Sequence, residues 1–348
     1  MSVSRLKDLA AATGLHEMTV SRALRDVGRM RPETRQRVLE AARRMDYRPN
    51  AAAAAMRTGT TGCIAMLSGA QPGRRSPSCS LQSVLVDAVS MRGCFLACAT
   101  IAVQLDFTDA SRLPAILGRR MAEGVLLDDT LESSPGLEGF LQRNRLPAVW
   151  LNQRRRVNAV CPDDAGAAGR VVAQLRALGH RRIAFVRMVP AADVLNDAAS
   201  GGAAACLSGY EAAMCAADSA PEVLTFTGGW DSWSASQTER LRALIAVFRN
   251  PAHRPTAVIT YHDGPILLAL LQKIGVRVPE EISLVSFASP VPAPVEQLVS
   301  WVPVPMEEVG RRGVGMLFQL LDAGQMEAAA ICLPYGEIAS MHTVRKLK

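Results

Sequence analysis

The residues best suited to directional chemistry within a short span lie in the stretch HEMTVSRALRD, residues 16 to 26. If this stretch is helical, Glu17, Met18 and Arg22 share one face, because the helical period is 3.6 residues. The guanidinium of Arg22 can donate two hydrogen bonds to O6 and N7 of guanine, Glu17 can accept one from a cytosine amino group, and Met18 can contact a thymine methyl. Taken singly, each is more readily explained as a solvated surface residue, so the elements around them must decide.

The surrounding sequence predicts three short helices. An apolar stripe over residues 6–10 is interrupted by Gly14, and Pro32 suits the first position of a third helix. Between them, the period of residues 17–25 predicts Val20, Ala23 and Leu24 facing inward and, on the opposite face, Glu17, Met18, Ser21, Arg22 and Arg25. Three helices with a glycine turn after the first are typical of a helix-turn-helix unit, whose second helix enters the major groove.

The charge distribution agrees with a nucleic-acid partner. Of the formal net charge of +7 over 348 residues, most arises in residues 1–60, which hold 12 Lys/Arg and 6 Asp/Glu. A basic segment on a near-neutral body is the electrostatic pattern of DNA contact. A basic amphipathic helix can also bind an anionic membrane surface, and the charge alone favours nucleic acid only moderately.

Other compositional features exclude several protein classes. The first residues, MSVSRLKDL, lack the apolar core of a signal peptide, and no later run approaches the roughly 18 apolar residues needed to span a bilayer. We therefore expect a cytoplasmic protein without a membrane partner. The eight cysteines include no C-x-x-C pair, which predicts reduced thiols and neither a zinc site nor a disulfide framework.

The stretch YRPNAAAAAMRTG, residues 47 to 59, predicts a short conditional helix. Asn50 is a good N-cap, the alanines around Ala53 have the highest helix propensity, and Gly59 ends the run. A helix this short is marginal in water, so we expect it to order against a partner. Two copies could then pack about a dyad and present Met56 as an apolar wedge for the minor groove. The alternative is a plain polyalanine linker.

The segments MTVSRALR and YRPNAAAAAM together resemble the DNA-binding headpiece and hinge of the lac repressor family of bacterial regulators. The resemblance implies base-reading positions at Glu17, Met18 and Arg22, and a wedge at Met56 where the family usually has leucine. It implies phosphate-contacting positions at Thr19, Ser21, Thr34 and Asn50. His16 departs from the usual capping serine, which would weaken the helix start by about 1 kcal/mol unless the imidazole replaces the cap.

After Gly62, apolar strand-like runs alternate with helical patterns, which predicts parallel sheets with helices on both faces. Two such series imply two lobes with a cleft at the carboxyl ends of their strands. The body resembles the periplasmic-binding-protein-like effector domain of the same family. We accordingly expect a headpiece at 1–46, a hinge at 47–61 and an effector and dimerisation domain at 62–348. Within that domain, we expect an N-lobe of 62–161 and 292–323 and a C-lobe of 163–290 and 325–348.

Strand ends and the resemblance together suggest effector-binding residues, namely Asp128, Leu151, Asn152, Cys161, Arg187, Cys206, Trp230, His262 and Asp263. The family's cleft arginine, asparagine and late aspartate are represented here by Cys206, His262 and the pair Ala288/Ser289. Losing a carboxylate while His262, Arg187 and the pair Arg74 and Arg75 remain available favours an anionic effector, such as gluconate, another sugar acid or a sugar phosphate. The segment MTVSR and the missing aspartate also resemble repressors of the gluconate-utilisation type.

Enzymatic function finds little support in the sequence. No G-x-x-x-x-G-K-[ST], H-E-x-x-H or G-x-S-x-G motif occurs, and GRRGVG at 310–315 does not match a dinucleotide fingerprint. We expect no catalytic residues, cofactor or metal. The interpretation that results is a homodimeric repressor of a carbohydrate or sugar-acid operon that binds a pseudo-palindromic operator. The alternatives are a solute-binding protein or an α/β enzyme on the same two-lobed body.

Overall fold

The structure is a computed structural model of the 348-residue chain. It describes residues 5–25, 27–48, 60–70, 79–102, 105–109, 112–128, 131, 134, 136–189, 201–227, 235–288 and 298–347. The chain divides into two compact units, Met1–Thr61 and Gly62–Lys348. Within the described residues, no helix combines the length and apolar character needed to cross a membrane.

The N-terminal unit contains the three expected helices, α1 (Leu6–Thr13), α2 (Glu17–Arg25) and α3 (Pro32–Arg44). Gly14 ends α1 in the left-handed conformation, with φ of 61°, which a glycine adopts without steric cost. Pro32 occupies the first turn of α3, where no intrahelical amide donor is required. A small core holds the helices together and includes Leu9, Val20 and Val38.

The C-terminal unit alternates strands and helices along the chain. Its first half contains β1 (Cys63–Ala70), α4 (Cys79–Ser90), β2 (Phe95–Ala102), α5 (Ala115–Gly118), β3 (Gly124–Leu127), α6 (Leu137–Arg143), β4 (Ala148–Leu151) and β5 (Ala159–Pro162). Its second half contains α7 (Asp164–Ala177), β6 (Ile183–Val189), α8 (Gly201–Ala216), β7 (Glu222–Thr227), α9 (Ala235–Arg249), β8 (Ala257–Tyr261), α10 (Gly264–Lys273), β9 (Ser283–Ala288), β10 (Ser300–Pro303), α11 (Met306–Ala323) and β11 (Ile331–Leu333).

These strands form two sheets, each the centre of one lobe. The N-lobe sheet has six strands in the order β11-β5-β4-β3-β1-β2, and the C-lobe sheet has five in the order β10-β9-β8-β6-β7. Every strand pair in both sheets is parallel. The predicted fold class, a helix-turn-helix unit followed by a two-lobed α/β body with parallel sheets, is confirmed.

The lobe boundaries differ from those expected. β10 pairs with β9 and so belongs to the C-lobe, although we had assigned 292–323 to the N-lobe. β11 pairs with β5 and so belongs to the N-lobe, although we had assigned 325–348 to the C-lobe. The chain therefore crosses between the lobes three times: first between β5 and α7, second between β10 and α11, and third after β11. Strands of three or four residues carry no readable period, so only their pairing reveals which sheet they join.

The last residues of the chain are built into the C-lobe. The backbone amide of Arg345 donates to the hydroxyl of Ser283 at 3.0 Å. The ring of His180 is buried, with its two nitrogens 3.0 Å from the Thr256 hydroxyl and from the carbonyl of Arg345. Burial lowers the pKa of His180, so the neutral ring fits this position. His180 is therefore a structural residue that fastens the C-terminal segment to the sheet.

Candidate functional site

Helix α2 presents a polar face to solvent above an apolar one. Val20 and Ala23 are buried in the core shared with α1 and α3. Glu17 and Arg22 are exposed, and the side chain of Met18 keeps 60% of its surface exposed. The structure thus brings the three expected base-reading side chains to one accessible surface.

The hydroxyl residues are placed less uniformly. Thr19 and Thr34 are half-buried near that surface, but Ser21 is only 6% exposed. The expectation that Ser21 lies on the exposed face is therefore wrong. A side chain this short, at the boundary of the buried face, does not extend past its longer neighbours. Any phosphate contact by Ser21 would need the adjacent side chains to move aside.

His16 caps the start of α2 in place of a hydroxyl residue. Its Nδ1 accepts a hydrogen bond from the backbone amide of Met18 at 3.3 Å. Its carbonyl oxygen accepts from the amides of Thr19 and Val20 at 2.8 and 3.1 Å. An imidazole nitrogen thus satisfies one of the amides that helix starts leave without an intrahelical partner. The departure from serine replaces the acceptor rather than removing it.

Several expected site residues lie outside the described residues. They are Asn50, Ala53 and Met56 of the hinge, Trp230 of the cleft, and the basic pair Arg74 and Arg75.

A second candidate site lies at the carboxyl ends of the strands, between the lobes. Asp128 follows β3 and Asn152 follows β4, and these two strands are neighbours in the N-lobe sheet. In the C-lobe, His262 and Asp263 follow β8, which pairs with β6, the strand that carries Arg187. Five of the expected effector residues thus come from neighbouring strands in each lobe. Strand ends facing a cleft are the usual ligand position in open parallel sheets.

Two of these residues have strained backbones. Asn152 has φ of 60° and His262 has φ of 67°, in the left-handed region that non-glycine residues seldom adopt. Such outliers cluster at ligand sites, and here one lies in each lobe. Although His262 is exposed, the surrounding protein desolvates its ring and lowers its pKa to about 4. At pH 7 it is a neutral hydrogen-bonding group, which removes it from the cationic groups we had counted.

Three other expected residues are buried. Leu151 is 0% exposed and packs so closely on α11 that a side chain at Gly313 would meet it. Cys206, also 0% exposed, lies inside the C-lobe on α8, and Cys161 is buried beside Cys332. Burial and the neighbouring thiol raise the pKa of Cys161 to about 12. Leu151 and Cys206 belong to the apolar core, and Cys206 lies on a helix rather than at a strand end, so sequence position did not reveal that these side chains are buried.

A buried polar cluster at the crossings between lobes was not anticipated from the sequence. Asp164, the first residue of α7, is 5% exposed, and its Oδ1 accepts hydrogen bonds from the hydroxyls of Tyr335 and, at 3.2 Å, Tyr261. Tyr335 lies just after β11 and Tyr261 ends β8, so the cluster joins the first and third crossings to the C-lobe sheet. Gly202 makes room for it, since a Cβ there would lie 2.1 Å from the Tyr261 hydroxyl.

The cluster changes the protonation of its carboxyl group. Burial raises the pKa of Asp164 to about 6, against the lowering effect of the two tyrosine hydrogen bonds. The one sequence feature that pointed to this cluster is the pair of adjacent acids in PDDAG. Asp163 caps α7 by accepting a hydrogen bond from the amide of Gly166, so Asp164 must have a different role. Its partner Tyr335 is too distant in sequence to be anticipated.

Among the described residues, no group of three or more His, Cys, Asp and Glu side chains is placed to hold a metal ion.

Comparison with known proteins assigns both units. Residues 5–50 match the family model of bacterial regulatory proteins of the lacI family. Residues 172–339 match the model of the periplasmic binding protein-like domain. The first unit is therefore similar to lacI-family regulatory proteins, and much of the second is similar to a periplasmic binding protein-like domain. Relatives that match most of the chain's length are named as regulatory proteins.

Among its relatives is the HTH-type transcriptional regulator DegA of Bacillus subtilis, 23% identical over 314 residues, which cover 87% of each chain. Among solved structures, the lac repressor dimer bound to operator and the anti-inducer ONPF superposes with a TM-score of 0.75 at 19% identity. The match covers 98% of this chain and 99% of that one. The complex of the regulator CelR with cellobiose has a TM-score of 0.60 at 23% identity, covering 96% and 98%. At these identities the superpositions establish the fold.

Proposed function

We propose that this protein is a DNA-binding transcriptional regulator of the lacI family, a repressor that binds a pseudo-palindromic operator as a homodimer in the cytoplasm. The observation that carries the proposal is the exposed set Glu17, Met18 and Arg22, held on α2 above a packed three-helix core. Two such helices related by a dyad would read inverted half-sites in the major groove. The solved relative with operator DNA is a dimer, which supports the same arrangement.

Within each half-site, Arg22 would donate to guanine, while Glu17 and Met18 would contact a cytosine amino group and a thymine methyl. Thr19, Thr34 and Asn50 would hold phosphates and fix the register. Met56 would enter the minor groove at a flexible central step, where unstacking costs least.

We further propose that a small metabolite binds between the lobes and changes operator affinity. A ligand that binds one lobe arrangement better than another shifts the population of arrangements, and its effect on DNA affinity is reciprocal. Asp128, Asn152 and Asp263 supply hydrogen-bonding groups from the two lobes, and the solved CelR complex shows a relative with cellobiose.

For this chain we propose an anionic effector, a sugar acid such as gluconate or a sugar phosphate. Cys206 and Ala288 offer neither the guanidinium nor the carboxylate that would hold paired hydroxyls of a neutral sugar. Arg187 provides a half-buried cation on β6. Because His262 is neutral at pH 7, the described cleft contains fewer positively charged groups than the sequence suggested.

The proposal is tested in two stages with the full-length protein. Bound sites are first selected from random duplexes, and a palindromic consensus is expected. Release of that duplex is then measured against neutral sugars, sugar acids and sugar phosphates, with an Arg187→Ala variant as the cleft control. Release by sugar acids or phosphates that the variant loses supports the anionic effector. Release only by neutral sugars contradicts it, and no consensus at all contradicts the repressor assignment.

A further inference from the structure

A surface depression of about 250 Å³ lies on the N-lobe, at the end of the strands opposite to the cleft. It is formed by the turn between α5 and β3 and the turn between α6 and β4. These turns precede neighbouring strands, so the depression sits at the amino ends of the sheet. It therefore shares no residue with the effector site proposed above.

The depression combines an apolar floor with a basic rim. Its floor consists of Ile116, Leu117, Phe140 and Leu146, and its rim carries Arg120, Arg143, Asn144 and Arg145. None of the described residues that line it is acidic. Guanidinium groups donate paired hydrogen bonds to carboxylates and phosphates, and an apolar floor favours a ligand with a hydrocarbon part.

The acidic residues nearest in sequence are already engaged. Glu123 accepts a hydrogen bond from the backbone amide of Gly62 at 2.6 Å. Glu138 forms an ion pair with Arg155. Among the described residues, no salt bridge involves Arg120, Arg143 or Arg145. Their charges are thus left without a carboxylate of the described chain beside them.

Two of the rim arginines occupy positions that favour glycine. Arg120 has φ of 51° and Arg145 has φ of 48°. Each follows the end of its helix, and its amide donates at 3.0 Å to a carbonyl three residues earlier. Helices commonly end this way with glycine, which adopts the left-handed conformation without a Cβ clash. Arginine thus occupies two positions where glycine would cost less, and each places a guanidinium group at the rim of the depression.

We propose that this depression binds a small organic anion, a metabolite that carries a phosphate or carboxylate on an apolar or ring-shaped body. Arg120, Arg143 and Arg145 hold the charged group, and its hydrocarbon part rests over Phe140. The site is a second, separate ligand site on the N-lobe, and it does not depend on what the cleft binds.

The decisive variant is the double substitution Arg120→Gly and Arg145→Gly, tested by calorimetry with phenyl phosphate, inorganic phosphate and phenol. Because glycine suits both positions, the variant should unfold at the same temperature as the parent or higher. It should nevertheless bind phenyl phosphate about tenfold or more weakly, since two charge-assisted contacts are lost. The parent should bind phenyl phosphate more tightly than inorganic phosphate or phenol.

The matched control is Arg112→Ala with Arg119→Ala, which removes the same charge from exposed positions of the N-lobe outside the depression. It should bind phenyl phosphate within about twofold of the parent. Equal weakening in the control, or binding lost on Arg187→Ala and kept in the glycine variant, would overturn the site. No binding of phenyl phosphate at millimolar concentration would overturn it as well.

Discussion

On α2, Glu17, Met18 and Arg22 lie within two turns of a single helix and reach solvent together. In the cleft, Asp128 and His262 follow strands of different lobes and are separated by nearly half of the C-terminal unit. The first surface depends on a local period and a core of three helices. The second depends on which strands pair and on how each strand ends. Base reading by one helix can therefore be altered one residue at a time. Effector binding at strand ends also depends on the core packing that positions each strand.

The largest effect is expected from Arg22→Ala. Loss of a bidentate contact to guanine should weaken binding to the selected operator by about 1 to 3 kcal/mol per half-site and erase the preference at that base pair. Site selection and a binding titration measure both quantities.

The matched control for that change is Arg37→Ala, which removes an equal charge from an exposed position of α3. It should weaken binding similarly for all sequences and leave the consensus unchanged. If Arg22→Ala instead selected the parent consensus with the same preference at every position, the assignment of base reading to Arg22 of α2 would be wrong.

The next effect concerns the interior behind the cleft, through Asp164→Asn. The pKa of Asp164 rises from 3.8 in a free side chain to about 6 in the fold, so the native state favours the protonated form more than the unfolded chain does. As pH rises from about 4 to about 6, the unfolded chain ionises first and the native state loses stability. At pH 8 the loss is on the order of 3 kcal/mol at most, since each pKa unit corresponds to 1.36 kcal/mol.

The amide introduced by Asp164→Asn would keep an oxygen acceptor for both tyrosines without a buried charge. The variant should therefore be more stable than the parent at pH 8, with an advantage that shrinks toward pH 4. Denaturant titrations across that range measure the difference. A constant difference at every pH would show that Asp164 does not titrate in this way. Tyr335→Phe should be destabilising at all of these pH values because it removes a hydrogen-bond donor.

The smallest effect is expected at the start of α2, from His16→Ala. Removing the imidazole acceptor should lower the stability of the helix start by about 1 kcal/mol, and His16→Ser should restore it. Hydrogen exchange on the full-length protein resolves this, because the amide of Met18 donates to His16 and should exchange faster only in the alanine variant. Unchanged exchange of the Met18 amide in His16→Ala would exclude the cap.

The same contrast explains what could be predicted from the sequence. Gly14, Pro32 and the spacing of Val20 and Ala23 are local signals, and they located the three helices that the structure describes in the N-terminal unit. The alternation of strand-like and helical runs likewise indicated two parallel sheets. The lobe that receives β10 or β11 could not be read, because such short strands are assigned by hydrogen bonds to partners far away in sequence.

Side-chain direction at strand ends was equally out of reach. Leu151 and Asn152 are adjacent, yet the first packs under Gly313 of α11 and the second turns out of the strand with a positive φ. One-residue alternation in a strand sends neighbours to opposite sides, so an error of one position exchanges a core residue for a cleft residue. The cluster of Asp164 with Tyr335 was missed for a different reason, since its members meet only after the third crossing.

The late return of the chain to the N-lobe has a consequence for synthesis on the ribosome. The lobe begins with β1 at Cys63, but α11 and β11, which cover and edge its sheet, end only at Leu333. Until those residues emerge, the apolar faces of β3 and β4 lack their covering helix, and a nascent chain exposes them to proteases and to aggregation. A message truncated after β10 would therefore yield a chain with an intact DNA-binding head on an unfinished body. We expect such a product to be prone to aggregation and proteolysis.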